Sequence, residues 1–274
     1  MNALLTDLLA ESPPRPRTRR RILQNVGHAP RVVYCLGLAL WSGIECLPIM
    51  MAMRPRTPLR VLCIAAFEYL SRLEGRSQKP STRRAIALAC DFGALRNDFY
   101  DQRELNRSEY RHVRTALRRL VPDKATRAYI HNLRLAERNR PPLQFAPTFE
   151  GEAVEYRNRV LVLSMDWLHG IAKVSWNAAL FQALVALTGL IQLVDDVLDW
   201  EDDWNHRRPS YVTALMIRSS KPTETRAGLQ LRARHFRDIL ITTSDEHPEA
   251  SPLAIAGILV WALAVVLTKV RFTV

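Results

Sequence analysis

Long apolar stretches separated by short polar or proline-bearing breaks, with little of the two-residue alternation of half-buried strands, lay this chain out as a series of helices. The pattern predicts helices from about Pro58 to Leu73, Ser81 to Glu104, Ser108 to Leu120 and 123 to 140. Ser81 reads as an N-cap, with Pro80 just outside its helix. Pro141, Pro142 and Pro147 stop helix formation, and PPLQFAP reads as a loop within one domain because nothing near it has linker composition. From Glu152 to Trp200 the apolar pattern is nearly continuous, as two helices joined around Gly170 to Trp176. Further helices are expected over 210–219, 223–241 and 252–270.

Two of the apolar runs are long enough to raise the question of a membrane. Residues 32–53, VVYCLGLALWSGIECLPIMMAM, are interrupted by Glu45 and Pro48, so a buried core helix is the expectation there. The last run, PLAIAGILVWALAVVL, has 16 residues, which is short for a bilayer span and normal for a core helix. The first 30 residues hold MNALLTDLLAE and then a proline and arginine run, expected to be a mobile basic arm. A signal peptide would carry its basic cluster before its apolar part, and here the order is reversed. The expected location is cytoplasmic, with peripheral contact of the last helix or the basic arm with a membrane left open.

Composition narrows the class. Only 10 glycines in 274 residues, together with segments rich in Ala, Leu and Arg, favour an all-α protein, expected as a single-domain helical bundle over residues 31–274. The formal charge of +12 comes mostly from arginine, since only Lys79, Lys124, Lys173, Lys221 and Lys269 among the 39 basic residues are lysines. That balance suits a polyanionic partner such as nucleic acid, an anionic membrane face or a diphosphate. No nucleic-acid motif accompanies the arginines, so no nucleic-acid partner is expected. Cys35, Cys46, Cys63 and Cys90 lie singly, without a CxxC pair, and read as reduced core residues.

Against this basic background, residues 192–203 read QLVDDVLDWEDD and carry six acids. On a helix Asp195, Asp196 and Asp199 fall at spacings of three and four, so their carboxylates crowd and repel unless a cation lies between them. A hard divalent ion such as magnesium, which takes carboxylate, water and phosphate oxygens, is the natural candidate. Upstream, CDFGALRNDFYDQRE sets Asp91, Asp98 and Asp101 on one helix face. Two acidic helices facing each other across a bundle would hold metal for a diphosphate, with arginines gripping its remaining oxygens. The bland alternatives are solvated helix ends for both rows, a buried structural role for Asp91 beside an arginine such as Arg84, and pairing of Asp202 and Asp203 with Arg207 and Arg208. The aromatics Phe92, Phe99, Trp167, Trp176 and Trp261 read mostly as core.

On these residues the chain resembles a class I isoprenoid synthase, the all-α family of trans-prenyltransferases and class I terpene cyclases. NDFYD, Asn97 to Asp101, is similar to the family's first DDxxD motif. Gln192, Asp195, Asp196 and Asp199 match the glutamine and DDxxD of the second prenyltransferase motif, with Gly189 just before. RPSY at Arg208 to Tyr211 is similar to the basic-proline element that follows that motif, and GRSQKP at Gly75 to Pro80 to the segment that binds isopentenyl diphosphate. Arg271 with Phe272 is similar to an arginine and tyrosine pair on the last helix of some cyclases.

The resemblance implies a central active-site cavity, magnesium, as three ions, on Asp98, Asp101, Asp195, Asp196 and Asp199, and an allylic prenyl diphosphate substrate. It implies diphosphate contacts from Arg103, Arg107, Gln192, Arg207, Arg208, Tyr211 and Arg271, and leaves a homodimer open. The arginine pair that chain-elongating enzymes carry after the first motif is absent as a pair here, and GRSQKP lies closer to the acids than elongating enzymes place it. Ionisation with cyclisation or rearrangement, a terpene synthase activity, is therefore the expected reaction. The alternatives are a prenyltransferase using isopentenyl diphosphate or another acceptor, and a degenerate member acting as a subunit or lipid-binding protein.

Overall fold

The computed structural model describes residues 22–52, 58–101, 106–143, 148–175, 177–219 and 221–272. The arginines at 15–21, Arg103 and Trp176 lie outside the described residues. Among those described there are eleven α-helices and no strand. They are α1 (Ile22–Ala52), α2 (Pro58–Leu73), α3 (Pro80–Tyr100), α4 (Arg107–Arg118), α5 (Asp123–Arg138) and α6 (Phe149–Ala172). After them come α7 (Ala178–Leu198), α8 (Trp200–Asn205), α9 (Tyr211–Arg218), α10 (Pro222–Glu246), a short 3-10 turn at Pro248–Ala250, and α11 (Ser251–Arg271).

The ends of these helices follow local chemistry. Between α2 and α3 the chain reverses at Gly75, whose φ of +75° lies in the left-handed region that glycine enters without a Cβ clash. The N-cap of α3 lies two residues earlier than Ser81. Lys79 is the N-cap and Pro80 occupies the first turn, where the N–H that proline lacks would have no helical acceptor anyway. Asn106 caps α4 by accepting from Glu109 N at 3.1 Å, and Asn177 caps α7 by accepting from Ala179 N at 2.9 Å. α9 starts with a reciprocal Ser210 and Thr213 capping box.

The chain divides into two compact units, Met1–Cys35, Pro141–Asn158 and Trp176–Val274 in one, and Leu36–Arg140 and Arg159–Ser175 in the other. One division, at Arg140–Pro141, falls where the proline stretch begins. In the first unit α7, α10 and α11 pack against one another pairwise, with α9 against α10. Close approach of α7 to α10 depends on Gly189, where an added Cβ would stand 2.8 Å from the Phe236 ring. Gly189→Val is expected to cost about 1–3 kcal/mol by overpacking, read as a lower urea midpoint with unchanged helix content; an unchanged midpoint would refute this packing account. In the second unit α2 packs on α3 and α3 on α4. Its aromatic core stacks Tyr129 on Trp167 with centroids 4.1 Å apart and sets Phe92 edge-on to Trp167 at 6.0 Å.

Two apolar helices depart from the core role expected of them. α1 buries a narrow stripe that includes Cys35, Ser42 and Cys46, and exposes Val33, Leu40, Ile44, Leu47 and Met51 on the opposite side. α11 buries Leu253, Gly257, Ala264 and Thr268 and exposes Ile255, Leu259, Leu263, Val266 and Val270. Apolar composition marks a preference for leaving water without naming what replaces it, so a core helix and a one-face helix look alike in hydropathy. Among the described residues three stretches, Ala29–Ile49, Ala178–Leu198 and Pro248–Arg271, are long and apolar enough to cross a membrane. Phe99, expected in the core, is half exposed. All four cysteines are free, three of them buried and Cys90 partly so.

Candidate functional site

The acid row closes α7, and the three aspartates do not share one environment. Asp195 and Asp199 are exposed and one turn apart, Asp199 serving as the C-cap. Gln192, partly exposed, lies one turn before Asp195 on that face. Asp196, about 100° around the helix from Asp195, turns inward and is 1% exposed. One of its carboxylate oxygens accepts from the Arg157 guanidinium of α6, the other from the backbone N–H of Tyr211 at 2.7 Å. Both helices that Asp196 ties together, the end of α7 and the start of α9, are thereby held at one point.

Electrostatics around this pair are set by burial. Desolvation pushes the Asp196 carboxyl up to about 7, against the pull of Arg157, while the neighbouring Asp203 adds to the rise and the Tyr211 N–H opposes it. For Arg157 burial works against the charged form, and the attraction of Asp196 and Asp203 outweighs it, so its pKa rises and the guanidinium stays charged. The phenol of Tyr211, 1% exposed, donates to Asn158 Oδ1 at 3.0 Å beneath the Arg232 guanidinium, 5.2 Å from the ring centroid.

The segment after α7 is short and charged. Trp200 opens α8 and packs on Phe272, centroids 5.7 Å apart, while Arg271 beside it is exposed. Arg208 is buried and pairs with Asp202 at 2.7 Å and Asp203 at 3.6 Å, as the bland reading of those two acids anticipated for this arginine. Arg207 is exposed at a φ of +54°, a left-handed value that costs a non-glycine residue roughly 1 kcal/mol or more. Of the residues assigned to diphosphate in this unit, Gln192, Arg207 and Arg271 reach solvent, whereas Arg208 and Tyr211 are committed inside.

In the other unit NDFYD ends α3. Asp98 is partly exposed, and Asp101 is the C-cap, its carboxylate accepting from Asn97 Nδ2 at 2.8 Å and Arg140 Nη1 at 2.9 Å. Asparagine in the leading place of the motif therefore donates to the acid one turn on, where aspartate would repel it. Arg107 starts α4 and is exposed. Asp91 is buried, while Arg84 is exposed.

The buried arginine of α3 is Arg83, and its cluster was not anticipated. Glu68, fully buried, accepts from Arg83 Nε at 2.9 Å, Arg72 Nε at 3.0 Å, Ser77 Oγ at 2.9 Å and Gln78 N at 3.1 Å. Glu45 of α1 bridges the same two arginines, 2.6 Å from each. Arg72's hydrogen bond holds the Glu45 carboxyl below the usual range, against the opposing pull of burial and with help from Arg83. GRSQKP thus folds as the turn that covers Glu68. A clue was available in the acid at the centre of an apolar run, FEYL, which needs a partner, although sequence does not say which. No protein-family model, curated protein or solved structure matches this chain.

Proposed function

We propose that the protein is a magnesium-dependent enzyme of the class I isoprenoid synthase type, which ionises an allylic prenyl diphosphate and cyclises or rearranges the carbocation. The observation that carries this reading is the division of labour at the end of α7: Asp195 and Asp199 are exposed one turn apart, while Asp196 anchors the backbone behind them. Magnesium is usually held by one or two carboxylates plus water and phosphate oxygens, a demand that Asp195 and Asp199 fit. Asp196, with an arginine and a backbone N–H on its oxygens, is a positioning residue. The bound ion would supply neutralisation of charge building on the departing diphosphate.

The chain's own residues do the rest. Gln192 and Arg207 bind diphosphate oxygens, Arg207 by charge-assisted hydrogen bonds that strengthen as the leaving group gains charge. Arg208 and Tyr211 hold the turn on which Arg207 stands, through Asp202, Asp203 and Asp196. Asp98 supplies a carboxylate of the first motif, and Asn97 and Arg140 fix Asp101 beside it. Cyclisation is favoured over elongation because Ser77 and Gln78 of GRSQKP are spent on Glu68, which leaves less of that segment for a second diphosphate.

The test is incubation with magnesium and geranyl, farnesyl or geranylgeranyl diphosphate, with and without isopentenyl diphosphate. Volatile hydrocarbons or alcohols from one substrate alone are expected. Longer diphosphates formed only with isopentenyl diphosphate would move the assignment to a prenyltransferase, and no diphosphate release from any substrate would refute both. Asp195→Ala and Asp199→Ala should each lower release by about 100-fold or more while leaving the unfolding midpoint in place.

A further inference from the structure

The 31 residues of α1 carry a stripe of large apolar side chains that nothing in the described structure covers. Val33, Leu40, Ile44, Leu47 and Met51 fall within about 60° of one another around the helix axis, at 100° per residue, with Val33 and Met51 at the same angle. They are strongly exposed, Leu40 at 69% and Met51 at 80%, with Tyr34 and Trp41 exposed along one edge. From Val33 to Met51 the stripe runs about 27 Å at 1.5 Å per residue, and no charged residue interrupts it. The one acid in the run, Glu45, is turned to Arg72 and Arg83.

We propose that this face of α1 lies in the plane of an anionic membrane surface, as an interfacial helix. Charge decides between the occupants. In sequence the apolar run is bracketed by Arg15, Arg17, Arg19, Arg20 and Arg21 on one side and by Arg54, Arg56 and Arg60 on the other, in a chain of net charge +12. A second copy laid along α1, parallel or antiparallel, would set basic flank against basic flank, and like charges repel. Anionic headgroups complement both ends at once, while the stripe between them enters the acyl boundary. A spanning helix is disfavoured by the opposite face, because Glu45 with Arg72 and Arg83 would place ionised groups at bilayer depth. Membrane contact by this face of α1 needs no diphosphate chemistry.

Flotation of the full chain with vesicles tests it, using phosphatidylcholine alone and phosphatidylcholine mixed with phosphatidylglycerol, at low and high salt. Binding to the mixed vesicles, weakened by salt, is expected. Leu40→Asp with Leu47→Asp should weaken it by at least about tenfold, since two charges must then enter the apolar boundary. Leu135→Asp, an exposed leucine of α5, is the matched control and should leave it unchanged. Absence of binding, equal loss in the control, or binding indifferent to the double substitution would overturn the proposal. Resistance to alkaline carbonate would replace it with a spanning helix, and a dimer that Leu40→Asp with Leu47→Asp dissociates, without vesicle binding, with a second copy.

Discussion

Replacing Arg157 by leucine is expected to cost about 3–5 kcal/mol of stability near pH 8 and markedly less near pH 5. At the higher pH the substitution strands a carboxylate that is 1% exposed, with a single backbone N–H for company. At the lower pH Asp196 takes up a proton and needs no counter-charge. The direction in the wild-type protein follows from the same group. Its folded value of about 7 stands above the unfolded value of roughly 3.9, so between these the folded state holds a proton that the unfolded state has released. The contribution of Asp196 is therefore complete below about pH 3.9 and declines as pH rises through 7, by about 1.4 kcal/mol per unit. Asp196→Asn removes that slope. Urea unfolding of the three proteins across this range checks both statements, and a cost for Arg157→Leu that is equal at the two ends would overturn them. Because Asp196 also holds Tyr211, turnover should fall in Arg157→Leu even where the protein stays folded.

Glu68→Ala is expected to be comparably damaging, at about 3–5 kcal/mol, with the loss spread over the turn it supports. The substitution leaves the Glu45 carboxylate to serve both Arg83 and Arg72 and strips the Gln78 N–H of its acceptor. Glu68→Gln keeps shape and one acceptor oxygen, and should cost less than Glu68→Ala. Hydrogen exchange would localise the damage, with amides of Gly75 to Thr82 and the start of α3 losing protection before those of α7. Protection lost uniformly over both regions would contradict the assigned role.

Much of the helical layout was legible along the chain. α2 occupies the residues expected of it, and α9, α10 and α11 begin within a residue or two of their expected starts, because prolines and capping side chains act over one turn. Asp195 and Asp199 were legible as a pair for the same reason, being neighbours on one helix face. Arg157 was not, since 39 residues separate it from Asp196 and nothing local marks one arginine among so many. The pairing of Glu45 with Arg72 and Arg83 escaped notice likewise, and α1 was misread as core because hydropathy measures aversion to water alone.

Helix positions and the crowding of acids at residues 195–199 therefore follow from short-range order, which is set by hydrogen bonds and side-chain contacts within a turn or two. Which aspartate turns inward, which arginine meets it, and which face of an apolar helix stays uncovered were settled by packing between helices far apart in sequence. A carboxylate buried by that packing must find its counter-charge among whatever side chains the fold brings near, and this choice has no local signature.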